Sequence, residues 1–170
     1  MTRRLALALS VICAVIVAHG ARAAGPAFDD PAAYCRAVGT IDRPDARYGG
    51  PAVPDWIARS LMQAVNAPPS ASLAFFRRAA WRCSGGQVMA CMYGANIPCD
   101  QKADVDRAPP DGAERFCRQQ PDADVVPHVA FSRPTVFLWR CDGTTPAIVR
   151  QVMDVDRDGY PAPFWYAVAP

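Results

Sequence analysis

The sequence predicts an α+β fold, in which an antiparallel sheet of four to six strands is joined by disulfides to two or three short helices. Three observations support this prediction. Short segments show helical spacing of apolar residues, β-rich runs are separated by proline, glycine and aspartate, and six cysteines follow an N-terminal apolar segment. Cross-links would therefore add to the stability that a core of this size supplies.

The first 23 residues have the layout of a secretory signal peptide. Two arginines precede an apolar run from Leu5 to Ala18, and Ala21–Ala23 has the small-x-small pattern that a signal peptidase cuts. This run is shorter than the roughly 20 residues that a membrane-spanning helix needs. We therefore expect residues 1–23 to be a signal peptide and residues 24–170 to form one disulfide-rich domain. That domain would be periplasmic or secreted, with no membrane insertion after cleavage.

Cleavage also changes the charge of the chain. The whole chain has 18 basic and 16 acidic residues, and loss of Arg3, Arg4 and Arg22 lowers the basic count to 15. A nearly neutral mature chain lacks the basic field that draws a protein to nucleic acid. We expect the mature protein to be a monomer and its partner to be a protein or a cell-envelope component.

The cysteines of the mature chain predict disulfide cross-links rather than a metal site. They are Cys35, Cys83, Cys91, Cys99, Cys117 and Cys141. None of their spacings is the close pair typical of zinc sites, whereas an even number in a secreted chain indicates a disulfide framework. Three disulfides are predicted, with a free cysteine pair and a metal site as alternatives. Six cysteines allow fifteen pairings, and the spacing does not choose among them.

Three segments predict helices. Asp30 followed by Pro31 is a helix start, so PAAYCRAV is predicted to be helical. Apolar residues recur at helical spacing over residues 55–66, and DGAERFCRQQ forms a third candidate that ends before Pro121.

The predicted strands fall into two groups. SLAFFRRAAWRC and QVMACMY flank the turn SGG and predict a hairpin. A C-terminal meander is predicted from the runs VVPHVAF, TVFLWRC, AIVRQVMDV and FWYAV. Pro127 places the first run of the meander at a sheet edge, or outside the sheet.

The pattern Trp-Arg-Cys-x-Gly occurs twice, at 81–85 and at 139–143. Alternation along a strand predicts that Trp points inward, Arg points outward and Cys is bridged before a turn. The flanking sequences do not match, so an internal duplication is not predicted.

Several segments together resemble a family of small secreted proteobacterial proteins that have no assigned function. They are YCRAVGTID, PDWIARSL, CSGGQVMACMYGANIPC with KAD, FCRQQPDADVVP and WRCDG. The resemblance covers most of the mature chain. It implies secretion and a single domain, and it carries no activity, ligand or catalytic residue.

An aspartate-rich turn is the candidate metal site. Asp154, Asp156 and Asp158, followed by Gly159, reproduce the first half of a calcium loop. The twelfth position is Trp165, where a bidentate glutamate is expected. Calcium is therefore the one cofactor considered, and a polar β-turn is the favoured interpretation.

No catalytic residue is predicted. His128 is the only histidine of the mature chain, no G-x-S-x-G motif is present, and paired carboxylates such as Asp104 with Asp106 lie in proline-rich loops. The main hypothesis is therefore a non-enzymatic secreted or periplasmic binding module. A carboxylate-dependent periplasmic hydrolase and a calcium-binding envelope protein are the alternatives.

Aromatic residues of the C-terminal part supply the candidate binding surface. Neighbouring residues of a strand point to opposite faces, so at least one side chain of Phe164-Trp165-Tyr166 turns away from the core. Trp139, Trp165 and Tyr166 are the candidates for a surface that contacts a protein or glycan. Cover by a further helix is the alternative.

Overall fold

The computed structural model describes residues 27–94 and 99–170, and the predicted signal peptide lies outside these ranges. Four helices, five strands and two 3-10 turns form in this part of the chain. In chain order the elements are α1 (Pro31–Val38), α2 (Asp55–Ala64), α3 (Leu73–Phe76), β1 (Ala80–Ser84), β2 (Gln87–Cys91), α4 (Asp111–Gln119), β3 (Phe137–Asp142), β4 (Thr145–Gln151) and β5 (Tyr166–Val168), with the 3-10 turns at His128–Ala130 and Ala162–Phe164.

The fold is α+β, as predicted, but the strands form two antiparallel sheets instead of one. The larger sheet has the order β1-β2-β5 and the smaller consists of β3 and β4. The predicted C-terminal meander is wrong, because β5 pairs with β2 rather than with β4. This pairing depends on contacts between distant parts of the chain, which local alternation does not encode.

Helix α1 begins where the sequence predicts, because Asp30 caps it. The Asp30 carboxylate accepts a hydrogen bond from the Ala33 N–H at 2.8 Å, and Pro31 occupies the first turn. Helix α2 is also as predicted and buries Ile57 and Leu61.

One predicted strand is wrong, and for a second run the structure confirms the alternative that it lies outside the sheet. The run at 72–83 forms the short helix α3 before β1 starts at Ala80, since its apolar pattern fits either period. The run at 125–131 forms a 3-10 turn, because Pro127 has no N–H to give to a sheet.

All six cysteines from Cys35 to Cys141 form disulfides, which confirms the predicted disulfide cross-links. The bonds are Cys35–Cys83, Cys91–Cys99 and Cys117–Cys141. Three disulfides are consistent with an oxidising compartment outside the cytoplasm. In the described parts of the chain, no helix has both the length and the apolar character needed to cross a membrane.

Two of the disulfides join a helix to a hairpin in the same manner. We call α1 with β1–β2 the first unit, and α4 with β3–β4 the second unit. Each helix carries an aromatic-Cys-Arg triplet, at 34–36 and at 116–118, and its cysteine bonds to the Trp-Arg-Cys cysteine of the hairpin. The similarity of the units therefore extends beyond the five residues that the sequence showed.

The hairpins of the two units also share their register. Arg82 pairs with Met89 and Arg140 with Ala147, and each arginine lies three positions before the first residue of a two-residue turn. In both hairpins one face packs on a core that includes the bridged cysteine and its tryptophan. The opposite face, which carries the arginine, differs between the units.

The glycines of the two turns give a matched pair for mutation. Gly85 and Gly143 have φ values of +55° and +57°. A Cβ at Gly85 would overlap the guanidinium of Arg157, whose Nε donates a hydrogen bond to Ser84 at 3.2 Å, whereas a Cβ at Gly143 meets nothing within 4 Å.

We expect Gly143→Ala to lower the free energy of unfolding by about 1 kcal/mol, because alanine is strained at positive φ. Gly85→Ala should cost about 2 kcal/mol, since Arg157 must also give up its hydrogen bond. Urea unfolding of both variants measures the difference, which should disappear when Arg157 is first replaced by Ala. Equal costs in the parent protein would show that the Arg157 contact contributes nothing.

Candidate ligand-binding groove

The least expected residue of the structure is Arg82, whose side chain is fully buried. The sequence predicts an outward arginine at this position; its direction is as predicted, but its side chain is not exposed to solvent. Arg82 does point away from Trp81 and the core of the first unit, but residues 156–165 cover the face on which it lies. Arg140, the equivalent residue of the second unit, is exposed as predicted.

Two aspartates and two aromatic rings hold the Arg82 guanidinium. Its Nη1 donates to Asp158 at 2.7 Å, and its Nη2 donates to Asp156. Its Cζ lies 4.3 Å from the ring centroid of Tyr160 and 4.6 Å from that of Trp165. Paired carboxylates and cation–π contacts together offset much of the cost of removing this charge from water, while the buried Nε has no hydrogen-bond partner among the described residues.

The same aspartates were the predicted calcium ligands. The structure brings Asp156 and Asp158 together on Arg82, and the second Asp156 oxygen accepts the backbone N–H groups of Asp158 and Tyr160 at 2.9 and 3.0 Å. Asp154 accepts a hydrogen bond from Gln151 instead. Among residues 27–94 and 99–170, no group of three or more His, Cys, Asp or Glu side chains is placed to hold a metal ion. Calcium binding stays a prediction, and this geometry gives it no support.

Burial and hydrogen bonding act in opposite directions on Asp158. Burial alone would raise the pKa of this carboxyl, but Ser84 and Arg82 stabilise the carboxylate, so the net pKa lies below its ordinary value. Asp158 is therefore ionised at neutral pH and keeps its bond to Arg82.

The predicted aromatic surface does not form. Trp139 is 2% exposed and donates its indole N–H to Thr135 at 3.3 Å, and Trp165 is 6% exposed beneath the cluster around Arg82. Tyr166 is half-buried on β5, opposite Ala90. The cover comes from core packing and from residues 156–165, not from the extra helix that the alternative required.

Trp165 nevertheless contributes to a groove. A cavity of about 520 Å³ lies between the loop at 42–53, the end of α3 and the start of β1, and Trp165 forms part of its wall. The volume lies within the range of pockets that hold small ligands. The cluster around Arg82 thus supports one wall of the groove.

The groove carries three arginines that come from two separate segments, Arg43, Arg77 and Arg78. Arg77 is held by Asp55, with N–O distances of 2.7 and 2.9 Å. Within the described ranges, Arg43 and Arg78 form no ion pair, and residues 1–26 and 95–98 contain no acidic residue. Two exposed guanidinium groups are therefore open to an added anion.

The acidic residues of the groove do not cancel the positive charge of its arginines. Asp42 pairs with Lys102 at 3.0 Å, which leaves Asp100 as the other carboxylate of the lining. Tyr93 stands at the rim and is 43% exposed. Its pKa is raised, mainly by burial and also by Asp100, so its hydroxyl stays protonated and can donate a hydrogen bond.

The residues considered for catalysis are not brought together. His128 is exposed on its 3-10 turn. The Asp104 carboxylate accepts the Asp106 N–H at 3.0 Å within a turn. Asp122 of the second carboxylate pair, Asp122 with Asp124, accepts the Gly143 N–H at 2.8 Å and so joins two separate turns. Ser84 is buried beside Arg157. This geometry lends the hydrolase alternative no support.

Sequence reasoning did not find the groove. Arg43 lies 34 and 35 positions before Arg77 and Arg78. Arg43 stands in a turn-rich segment, whereas Arg77 and Arg78 stand in the run that the sequence predicted as a strand. The one available signal was the excess of arginine over lysine in the mature chain, since guanidinium groups favour oxyanions.

No protein-family model, curated protein or solved structure matches this chain. The resemblance to small secreted proteobacterial proteins therefore stays a prediction.

Proposed function

We propose that the protein is a non-enzymatic periplasmic or secreted module that binds a cell-envelope component, specifically an anionic saccharide, in the groove. The observation that carries this proposal is the pair of guanidinium groups, Arg43 and Arg78, that line one cavity without a carboxylate partner in the described ranges. Phosphate and carboxylate groups match the guanidinium fork.

The form of the groove supports a saccharide as the body of the ligand. Its volume of about 520 Å³ suits one or two sugar rings. Tyr93 at the rim presents an exposed aromatic ring and a hydroxyl, which suit the apolar face and the hydroxyls of a sugar. Two disulfides, Cys35–Cys83 and Cys91–Cys99, fix the surrounding scaffold, and preorganisation of this kind lowers the entropic cost of binding.

Calorimetric titration with glucose 6-phosphate, glucuronate and neutral glucose tests the proposal. Both anionic sugars should bind and glucose should bind at least tenfold more weakly. The double variant Arg43→Ala/Arg78→Ala should lose at least tenfold in affinity, because each charge-assisted hydrogen bond contributes about 1.5–3 kcal/mol.

The matched control is Arg36→Ala/Arg115→Ala, which removes the same charge from two exposed helical positions outside the groove. This variant should bind like the parent. Equal binding of glucose and the anionic sugars, absence of binding, or equal losses in both double variants would each contradict the proposal.

A further inference from the structure

The two hairpins have equivalent faces, of which one is covered by other residues and the other is exposed. Register and disulfide place Arg82 and Arg140 at equivalent positions, each on the face opposite the bridged cysteine. The first face is covered by the chain itself. The second has no such cover in the described ranges, because the Arg140 side chain is 48% exposed.

The cover on the first unit defines what this kind of face accepts. It is one continuous segment in which an Asp-x-Asp pair, Asp156 and Asp158, is followed by Tyr160 and Trp165. The carboxylates bind the Nη atoms of the arginine, while its Cζ lies 4.3 and 4.6 Å from the centroids of the two rings. Acidic and aromatic groups in this order are therefore complementary to the arginine-bearing face of a hairpin.

The face of the second hairpin carries groups that match such an acidic and aromatic segment. Arg140 has one carboxylate nearby, Asp142, at the long distance of 3.9 Å. Arg150 lies opposite half-buried Leu138 and forms no ion pair among the described residues. Val149 is 47% exposed beside Arg150 and adds apolar surface. Two arginines beside apolar side chains thus stand where the first unit has its covered arginine.

We propose that this exposed face of the second unit, which we call the Arg140 face, binds an acidic, aromatic segment of a partner protein. The partner would place two carboxylates on Arg140 and Arg150 and lay an aromatic ring over a guanidinium, as residues 156–165 do on Arg82. This site is separate from the groove and does not depend on the function proposed for it.

The edge of β4 favours a segment that crosses the face over one that extends the sheet. Pro146 has no N–H to donate, and the register shift between Leu138 and Trp139 leaves Val149 as a bulge. Both features protect an edge strand from pairing with another chain. The same features oppose pairing of two copies through β4.

The test uses the mature protein and a fluorescent peptide with the sequence of residues 154–166, DVDRDGYPAPFWY. Fluorescence anisotropy should show saturable binding that weakens as salt is raised. Arg140→Glu/Arg150→Glu should weaken binding at least tenfold, whereas Arg36→Glu/Arg115→Glu, which changes the charge equally elsewhere, should change it less than twofold. A peptide with Asn in place of Asp156 and Asp158 should lose binding.

Three binding results would each overturn the proposal. The first is the absence of saturable binding up to about 1 mM peptide, a concentration that corresponds to a binding free energy of about 4 kcal/mol. The second is an equal loss of affinity in the two double variants. The third is unchanged binding of the peptide in which Asn replaces the two aspartates. Sedimentation should show a monomer. A dimer that Arg140→Glu/Arg150→Glu abolishes would assign the face to a second copy of the chain and would also overturn the proposal. Circular dichroism of each variant confirms that the comparison is made between folded proteins.

Discussion

Replacing Arg82 with Met is expected to lower the free energy of unfolding by about 3–5 kcal/mol, the range for breaking a buried ion pair by removing one partner. The variant leaves Asp156 and Asp158 facing each other beneath Tyr160 and Trp165, without the cation that they neutralise. The length of Met keeps most of the volume filled, so the loss reports charge and hydrogen bonding more than an empty cavity. Urea unfolding with the disulfides intact measures it.

Arg140→Met supplies the matched control within the same molecule. Arg140 follows a tryptophan and precedes a bridged cysteine, as Arg82 does, but its side chain is exposed. Its replacement should change the free energy of unfolding by less than about 0.5 kcal/mol. Similar losses for the two variants would contradict the role given to the buried cluster.

The parent protein and the Arg82→Met variant should also differ in how their stability responds to acid. The pKa of Asp158 is lowered in the folded state, so its contribution to stability is present above the unfolded value near 3.8 and is lost as the pH falls through the folded value. The parent protein should therefore lose stability below about pH 4. This loss should be smaller in Arg82→Met, because Asp158 no longer gains Arg82 on folding. The exposed carboxyls Asp45 and Asp55 also have lowered pKa values and remain in both proteins, so the difference between the two curves isolates the cluster.

Removal of the Cys35–Cys83 disulfide is the second change with a large expected effect. This bond closes a separation of 48 residues, for which the chain-entropy relation gives about 4 kcal/mol, whereas Cys91–Cys99 closes 8 residues and should contribute about 2.5 kcal/mol. Cys35→Ala/Cys83→Ala should therefore lower the free energy of unfolding more than Cys91→Ala/Cys99→Ala does.

Denaturant unfolding of both double variants decides between this ordering and its reverse. Alanine is used because both Cys35 and Cys83 are fully buried and a serine hydroxyl there would add a cost of its own. A larger loss for the short loop would show that local packing, rather than restriction of the unfolded chain, determines what each disulfide contributes.

Features that depend on neighbouring residues could be predicted from the sequence. The start of α1 follows from Asp30 and Pro31, and the amphipathic spacing gives α2. The participation of the six cysteines follows from the predicted signal peptide and from their even number. Each of these predictions depends on physics that acts within a few residues or on the chemistry of a compartment.

Features that depend on distant segments could not be predicted in this way. Alternation correctly turns Arg82 away from Trp81, but its aspartate partners lie 74 and 76 residues further along the chain. Local pattern therefore predicts a solvent-exposed arginine. The aspartate-rich segment was predicted as a turn or a calcium loop for the same reason, because no residue next to it in the sequence indicates that it binds the buried Arg82.

The candidate groove could not be predicted from the sequence for a related reason. Arg43 and Arg78 lie in different segments, and only the fold of the first unit brings them to one cavity beside Trp165. The similarity of the two units was also hidden, because the aromatic-Cys-Arg triplets stand at different distances from their hairpins, 48 residues between bridged cysteines in one and 24 in the other.

The most direct test of the central claim, that the groove binds an anionic sugar, is an NMR titration of the ¹⁵N-labelled mature protein with glucose 6-phosphate. The account predicts saturable shifts of backbone amides at 42–53 and 77–81, together with shifts of the Arg43 and Arg78 side-chain Nε signals, and no such shifts with glucose. Shifts confined to other parts of the chain, or the same shifts with glucose, would contradict it.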